Sequence, residues 1–243
     1  MTFDMLASIE LSLSSAIAIA AVAESVGTTP VMRLRLAVGL GVWFVLVVVM
    51  AATEVLTYPR GVGVPGLGVA VALPVVVLST LFRRVASLRR ALQDAPLHVL
   101  IGMHAIRVLG VYFLILYAAG RLPAPFAPVA GWGDILTGLA AMPLGVLAYW
   151  RAAPLRPLIL IWNAFGLLDL VVAIGLGATS SPGPIRVFYM EPGTVIMTTL
   201  PWLIIPGFLV PLLASTHLAI FHRLTRDGKT QTVNGNTAHM EAN

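Results

Sequence analysis

An apolar run from Leu97 to Gly120 contains no carboxylate, yet it holds His104 and Arg107 one helical turn apart. A helix rises about 1.5 Å per residue, so the run is long enough to cross a hydrocarbon core of about 30 Å. A guanidinium at that depth is expensive unless an opposite charge or a polar space receives it. Any fold for this chain must therefore bring Arg107 a partner from another membrane-crossing segment.

Six further runs meet the same length requirement, at about Met5–Ala23, Leu36–Leu56, Gly66–Phe82, Gly131–Trp150, Pro157–Gly177 and Leu200–Phe221. Only 10% of residues are charged and 58% are hydrophobic, where a soluble domain carries about a quarter charged. The expected fold is an all-α integral membrane protein, a bundle of seven transmembrane helices within residues 1–224. The first run is the weakest, with Glu10 and four serines, and the third is short and contains Pro74. The 22 glycines and 17 prolines suit membrane helices, where neighbouring helices satisfy freed backbone groups. No Lys or Arg precedes Arg33, so Ala21-Val22-Ala23 is expected in an uncleaved first helix and not in a signal peptide.

The formal charge of +5 does not point to nucleic acid, because the basic residues sit in short connections between apolar runs. Arg33, Arg35, Arg83, Arg84, Arg89, Arg90, Arg151, Arg156, Arg223, Arg226 and Lys229 fall at one end of the bundle. Arg60, Arg121 and Arg186 fall at the other. The richer end is expected in the cytoplasm, which puts the N-terminus outside and the C-terminus inside a bacterial-type cytoplasmic (inner) membrane. Membrane lipids are the expected partners. Residues 225–243 are polar and expected as a disordered cytoplasmic tail. The chain has no cysteine, which excludes disulfides, thiolate metal sites, a cysteine nucleophile and covalent c-type haem.

The buried polar residues carry the functional expectations. Counted from the cytoplasmic end, Arg107 lies about 15 Å deep and Asp169 about 18 Å deep, in helices that run the same way. An Arg107–Asp169 pair near the bilayer centre follows. Asp134, Gly138, Ala141 and Gly145 share one stripe of the fifth helix, and Trp162, Gly166, Asp169 and Ala173 one stripe of the sixth. Small residues let helices approach closely, so both aspartates should face protein. With Glu10 near the start of the first helix, these residues predict an outward-opening polar cavity lined by Glu10, Asp134, Arg107 and Asp169. Such a cavity would bind or gate a small polar or anionic solute. His104, Asn163 and His217 lie in the inner half as candidates for a proton relay, since histidine titrates near neutral pH. Each could instead be a separate interhelical hydrogen bond. Neither a metal site nor a cofactor is expected. A b-type haem between histidines is the one cofactor considered, but His98/His104 and His217/His222, spaced by six and five, do not share helix faces. Pro201, Pro206 and Pro211 predict a bent or locally open last helix, and Trp202 is expected in the outer aromatic belt, with Tyr149 and Trp150 in the inner one.

Seven spans in this orientation resemble microbial rhodopsins, but the only lysine, Lys229, lies in the tail, which excludes a retinal Schiff base. The length and topology also look like the small sugar and PQ-loop carriers, whose Pro-Gln signature is missing. Gly131-Trp132-Gly133-Asp134 is similar to the Gly-x-Gly-Asp motif of intramembrane aspartyl proteases and prepilin peptidases, with Asp169 as the implied second acid. No Pro-Ala-Leu motif accompanies it. Gly131–Gly145 and Leu200–Leu224 resemble uncharacterised bacterial multi-pass membrane proteins with no assigned function, a likeness that implies no activity. Three functions follow as expectations: a small-solute or proton-coupled binding or transport protein, a structural or accessory membrane subunit, and a membrane-embedded enzyme of the haem or aspartyl type. The first is favoured, and an enzyme is the less expected outcome.

Overall fold

The structure is a computed structural model that describes residues 2–59 and 61–241, with side chains described for these except Val64 and Arg226 onward. Of the tail expected over residues 225–243, only Thr225 has a described side chain, and residues 242–243 lie outside the described residues. The described chain is helical without strands, and seven of its helices are long and apolar enough to cross a membrane.

Thr2 opens α1 (Phe3–Val26) by accepting the N–H of Met5 on its side chain, and Thr29 opens α2 (Pro30–Ala52) through the N–H of Met32. Pro30 suits the first turn of α2, where its missing N–H has no helical partner to lose. Next come α3 (Val64–Arg84), which absorbs Pro74, and α4 (Ala86–Asp94), a short helix where the sequence suggested only a basic connection. The fourth span, Leu97–Ala118, is not one regular helix. It consists of α5 (Leu97–Gly102), a tighter 3₁₀ stretch over Met103–Gly110, and α6 (Val111–Ala118). Then follow α7 (Phe126–Arg151) and α8 (Arg156–Thr179). The last span begins as a wider π turn at Ile205–Leu209 and continues as α9 (Val210–Glu241).

Two sets of contacts show that the helices alternate between the ends of the bundle. At one end Arg121 holds Asp4 through two hydrogen bonds of 2.9 Å, and the hydroxyls of Thr57 and Thr198 meet. At the other, Arg156 donates to the carbonyl of Leu224, Arg223 to that of Ala95, and Gln93 meets His222. The second end carries the arginine-rich connections. Side chains such as Ile161 (68% exposed) and Val146 (63%) face outward, an apolar exterior that suits lipid and not water.

The last span is the most enclosed and α3 the least. Leu11, Val47, Leu116, Trp202 and Phe208 form the core at the arginine-poor end. Trp202 is fully buried there against Phe3 and Tyr112, which corrects its expected place in the outer belt. The chain before Ile205 is irregular and folds inward, so the last span starts later than Leu200. Tyr149 and Trp150 are exposed, as an interfacial belt requires.

The π turn has an identifiable repair. An α-helical N–H from residue 211 would satisfy the carbonyl of Gly207, but residue 211 is proline and has none. The indole Nε1 of Trp43 on α2 donates to that carbonyl instead, at 3.1 Å. Replacing Trp43 by Phe keeps most of the ring packing against Phe208 and removes the donor. The expected loss is about 1–2 kcal/mol, measurable as a lower midpoint in detergent unfolding.

Candidate functional site

Arg107 sits on the 3₁₀ stretch and is almost fully buried. A guanidinium offers five N–H donors and no acceptor, and every nitrogen here has a partner. Nε donates to Asp134 Oδ1 on α7 at 2.7 Å, and Nη2 donates to Asp169 Oδ2 on α8. Nη1 donates to the carbonyl of Gly166 at 2.9 Å and faces Nε2 of His217 on α9 at 3.1 Å. One cation thus ties four spans together.

That contact assigns the tautomer of His217. Arg107 can only donate, so Nε2 accepts and Nδ1 carries the proton, which it donates to Asn163 Oδ1 at 2.7 Å. Asn163 returns its amide N–H to the backbone carbonyl of His217 at 3.0 Å. His104 has the opposite arrangement. The hydroxyl of Thr216 donates to Leu213 O, so it accepts from His104 Nε2 at 3.0 Å. The two imidazole rings lie 4.0 Å apart, centroid to centroid, and Trp162 packs edge-on to His104 while donating to the carbonyl of Thr137. The buried Nδ1 of His104 has no hydrogen-bond partner.

The cluster assembles where Cβ atoms are missing. A Cβ at Gly133 would lie 1.7 Å from Asp169 Oδ1, one at Gly110 2.5 Å from the Cβ of Asp134, and one at Gly166 2.7 Å from the ring of His217. Both glycines of the Gly131-Trp132-Gly133-Asp134 tetrapeptide have packing roles, since Gly131 receives the side chain of Leu114. The two aspartates do not face each other across a free space, as a water-activating pair would. Arg107 is hydrogen-bonded to both of them.

Of the candidate residues, the structure joins Arg107, Asp134, Asp169, His217 and Asn163 directly, and His104 by ring stacking. Glu10 stands apart: it is half-buried and accepts the hydroxyl of Tyr112. Among the described residues, neither cavity that reaches Arg107 or Asp134 is lined by Glu10 or Asp169, so the outward polar cavity expected from these four is not seen. A cavity of about 30 Å³ touches Arg107 and Asp134, and one of about 80 Å³ touches Asp134; both are otherwise walled by apolar side chains such as Leu170 and Val210. Both carboxylates turn onto the guanidinium, and Asp134 also borders the two small cavities. Three partners escape sequence reasoning: the Gly166 carbonyl, Thr216 and Tyr112. A backbone acceptor leaves no trace in composition, and a lone hydroxyl in an apolar run has no distinguishing period.

Among the described residues no group of three His, Asp or Glu side chains is placed to hold a metal ion. A haem iron would have to displace Asn163 or Arg107 from His217, since both ring nitrogens are engaged.

A family described as a domain of unknown function (DUF8737) matches residues 64–225, more than half of the chain, and the chain belongs to that family. The matched stretch contains Arg107, Asp134, Asp169, His104, Asn163 and His217, whereas Glu10 lies outside it. No curated protein and no solved structure matches the chain.

Proposed function

We propose that this member of the DUF8737 family is a proton-coupled carrier of a small polar or anionic solute, with the Arg107 cluster as its coupling centre. The single observation that carries this reading is the charge count at one buried point. Arg107 is one cation between two carboxylates, and His217 meets it as a neutral acceptor, so the ionised cluster has one negative charge in excess. One proton balances it. Such a site discharges by taking up that proton, and an anionic solute can take the place of a carboxylate on Arg107 only when the displaced carboxylate is itself protonated. The helix geometry supports movement: Arg107 sits on an eight-residue 3₁₀ stretch within a span, and the last span opens with a π turn. Irregular turns of both kinds recur at hinges and functional sites, and broken helices mark binding sites in transporters.

The arrangement is then the resting state, in which Asp134 and Asp169 hold Arg107 and the solute is absent. Glu10 has no direct part in it. The imbalance of basic residues between the ends supports an orientation with the C-terminal end in the cytoplasm and the N-terminus outside, in a membrane of the bacterial cytoplasmic type.

The test is proton flux in liposomes containing the full chain, followed by an internal pH-sensitive dye, with succinate or inorganic phosphate supplied outside. The expected result is solute-dependent flux that falls at least about tenfold in Asp134→Asn, while the protein remains monodisperse on size exclusion. A second reading has its own observation. The cluster is closed by its own partners and borders no polar cavity, as a clamp in a structural or accessory subunit would be. That reading requires no flux from the wild type under any of these conditions and a lowered unfolding midpoint in Asp134→Asn.

A further inference from the structure

A separate cavity of about 320 Å³ lies at the arginine-rich end, between the last turns of α1 and α3, the first turns of α2, the short helix α4, and α9. Its volume is that of a small-ligand pocket, about 300–1,000 Å³. Its walls are mostly apolar, with Leu40, Leu78 and Leu212 among them, and its polar lining is Ser79, Arg83, Ser215, Thr216 and His222. Leu81 and Leu218 line it and are also about 40% exposed (41% and 40%), so it opens on the lipid-facing surface.

The charge near its rim is mainly basic: the carboxylates on the surrounding elements are Asp94, at the end of α4, and Glu24, which pairs with Arg33 at 2.7 Å. Arg83 lines the cavity and is exposed. Arg84, Arg89 and Arg90 follow within seven positions, and residues 83–90 contain no carboxylate. Arg89 donates to the carbonyl of Arg83 at 3.2 Å, which keeps α4 folded back over the end of α3. Among the described residues none of these four arginines forms a salt bridge. The amphipathic α4 presents Leu88 and Leu92 to the cavity while Arg90 stays exposed.

A largely apolar pocket that opens sideways under guanidinium groups without a carboxylate partner among the described residues fits one chemistry, an apolar chain with an anionic head. We propose that this cavity holds one acyl chain of an anionic phospholipid of the surrounding leaflet, with the headgroup phosphate on Arg83 and its neighbours. Clusters of arginine at that level recognise acidic lipids by charge, and pockets between spans hold their chains. The bound chain also reaches Thr216, which lines the cavity and accepts from His104. The site is therefore in contact with the ring that stacks on His217, and lipid occupancy can be felt at the Arg107 cluster.

Native mass spectrometry of the full chain in mild detergent, with added dioleoyl phosphatidylglycerol or dioleoyl phosphatidylcholine, tests this directly. The expected result is one phosphatidylglycerol per chain, retained severalfold more tightly than phosphatidylcholine. Arg83→Gln should weaken it about fivefold, the value of one surface guanidinium, and leave phosphatidylcholine unchanged. Ser79→Phe, which fills the cavity, should abolish retention of both. Equal retention of the two lipids, no effect of Arg83→Gln, many lipids per chain without a saturating first one, or a co-purified occupant that is not a phospholipid would each overturn the assignment. Should Ser79→Phe fail to fold, the exposed Arg83→Gln variant and the headgroup comparison still decide it.

Discussion

Arg107→Leu is expected to destabilise the bundle by about 3–5 kcal/mol, the largest loss available from a single side chain here. It leaves the Asp134 and Asp169 carboxylates, whose side chains are only 12% and 7% exposed, without a cation in a site built around one. It also strips the donors from Gly166 O and His217 Nε2. Because an unfolded chain within a membrane can find other polar partners, the value should fall toward the lower end of that range. Unfolding by a denaturing detergent, compared with the wild type, measures it. The triple variant Arg107→Leu/Asp134→Asn/Asp169→Asn should recover much of the loss, since a whole buried ion set can be replaced at little cost whereas half of one cannot. Arg107→Lys should lie between, because one ammonium cannot present two separate N–H edges to two carboxylates. A loss below about 1 kcal/mol for Arg107→Leu would mean that the cluster does not hold the spans together.

Gly133→Ala is the second large effect, and it removes no polar group at all. Its methyl group would sit 1.7 Å from Asp169 Oδ1, so Asp169 must leave Arg107 or α8 must move away from α7. Overpacking of this kind costs about 1–3 kcal/mol, and the disturbed ion pair places it at the upper end. Gly39 and Gly175 supply the control, because an added Cβ there meets nothing within 4 Å. Alanine at those positions should be neutral or stabilising by up to about 1 kcal/mol, the ordinary gain over glycine inside a helix. Equal behaviour of all three variants would show that α7 and α8 do not approach each other this closely.

These two predictions differ in how far the sequence anticipates them. That Arg107 needs a buried acid follows from the expense of a charge in hydrocarbon, and matching depths single out Asp169. That Asp134 shares the same guanidinium does not follow. Asp134 counts as an outer residue when every span is taken as a regular helix, but the 3₁₀ stretch rises more per residue and rotates Arg107 relative to that picture. Gly133 belongs to a tetrapeptide that resembles a catalytic motif, and only the packing of Asp169 over its missing Cβ shows a steric reason for the glycine. Glu10 illustrates the opposite error. Its place near the outer start of the first helix suggested a share in an outward cavity with Arg107, yet the hydroxyl of Tyr112, itself invisible as a partner in the sequence, takes it.

Length and hydropathy alone determined the seven spans and their alternation, because a helix that must satisfy its backbone in hydrocarbon has few other forms. The stripes of small residues on the fifth and sixth spans likewise determined which faces turn inward, since close helix approach is a local steric matter. The tertiary structure alone decided which polar groups meet and whether they leave a space between them. Both depend on rotations of a few tens of degrees about the helix axes and on local departures from α geometry at Met103–Gly110 and Ile205–Leu209, which are settled by packing among helices distant in the chain. The carboxylates and the guanidinium are each unaffordable alone in such an interior, so they turn toward one another and close the cavity that their separate positions in the sequence suggested.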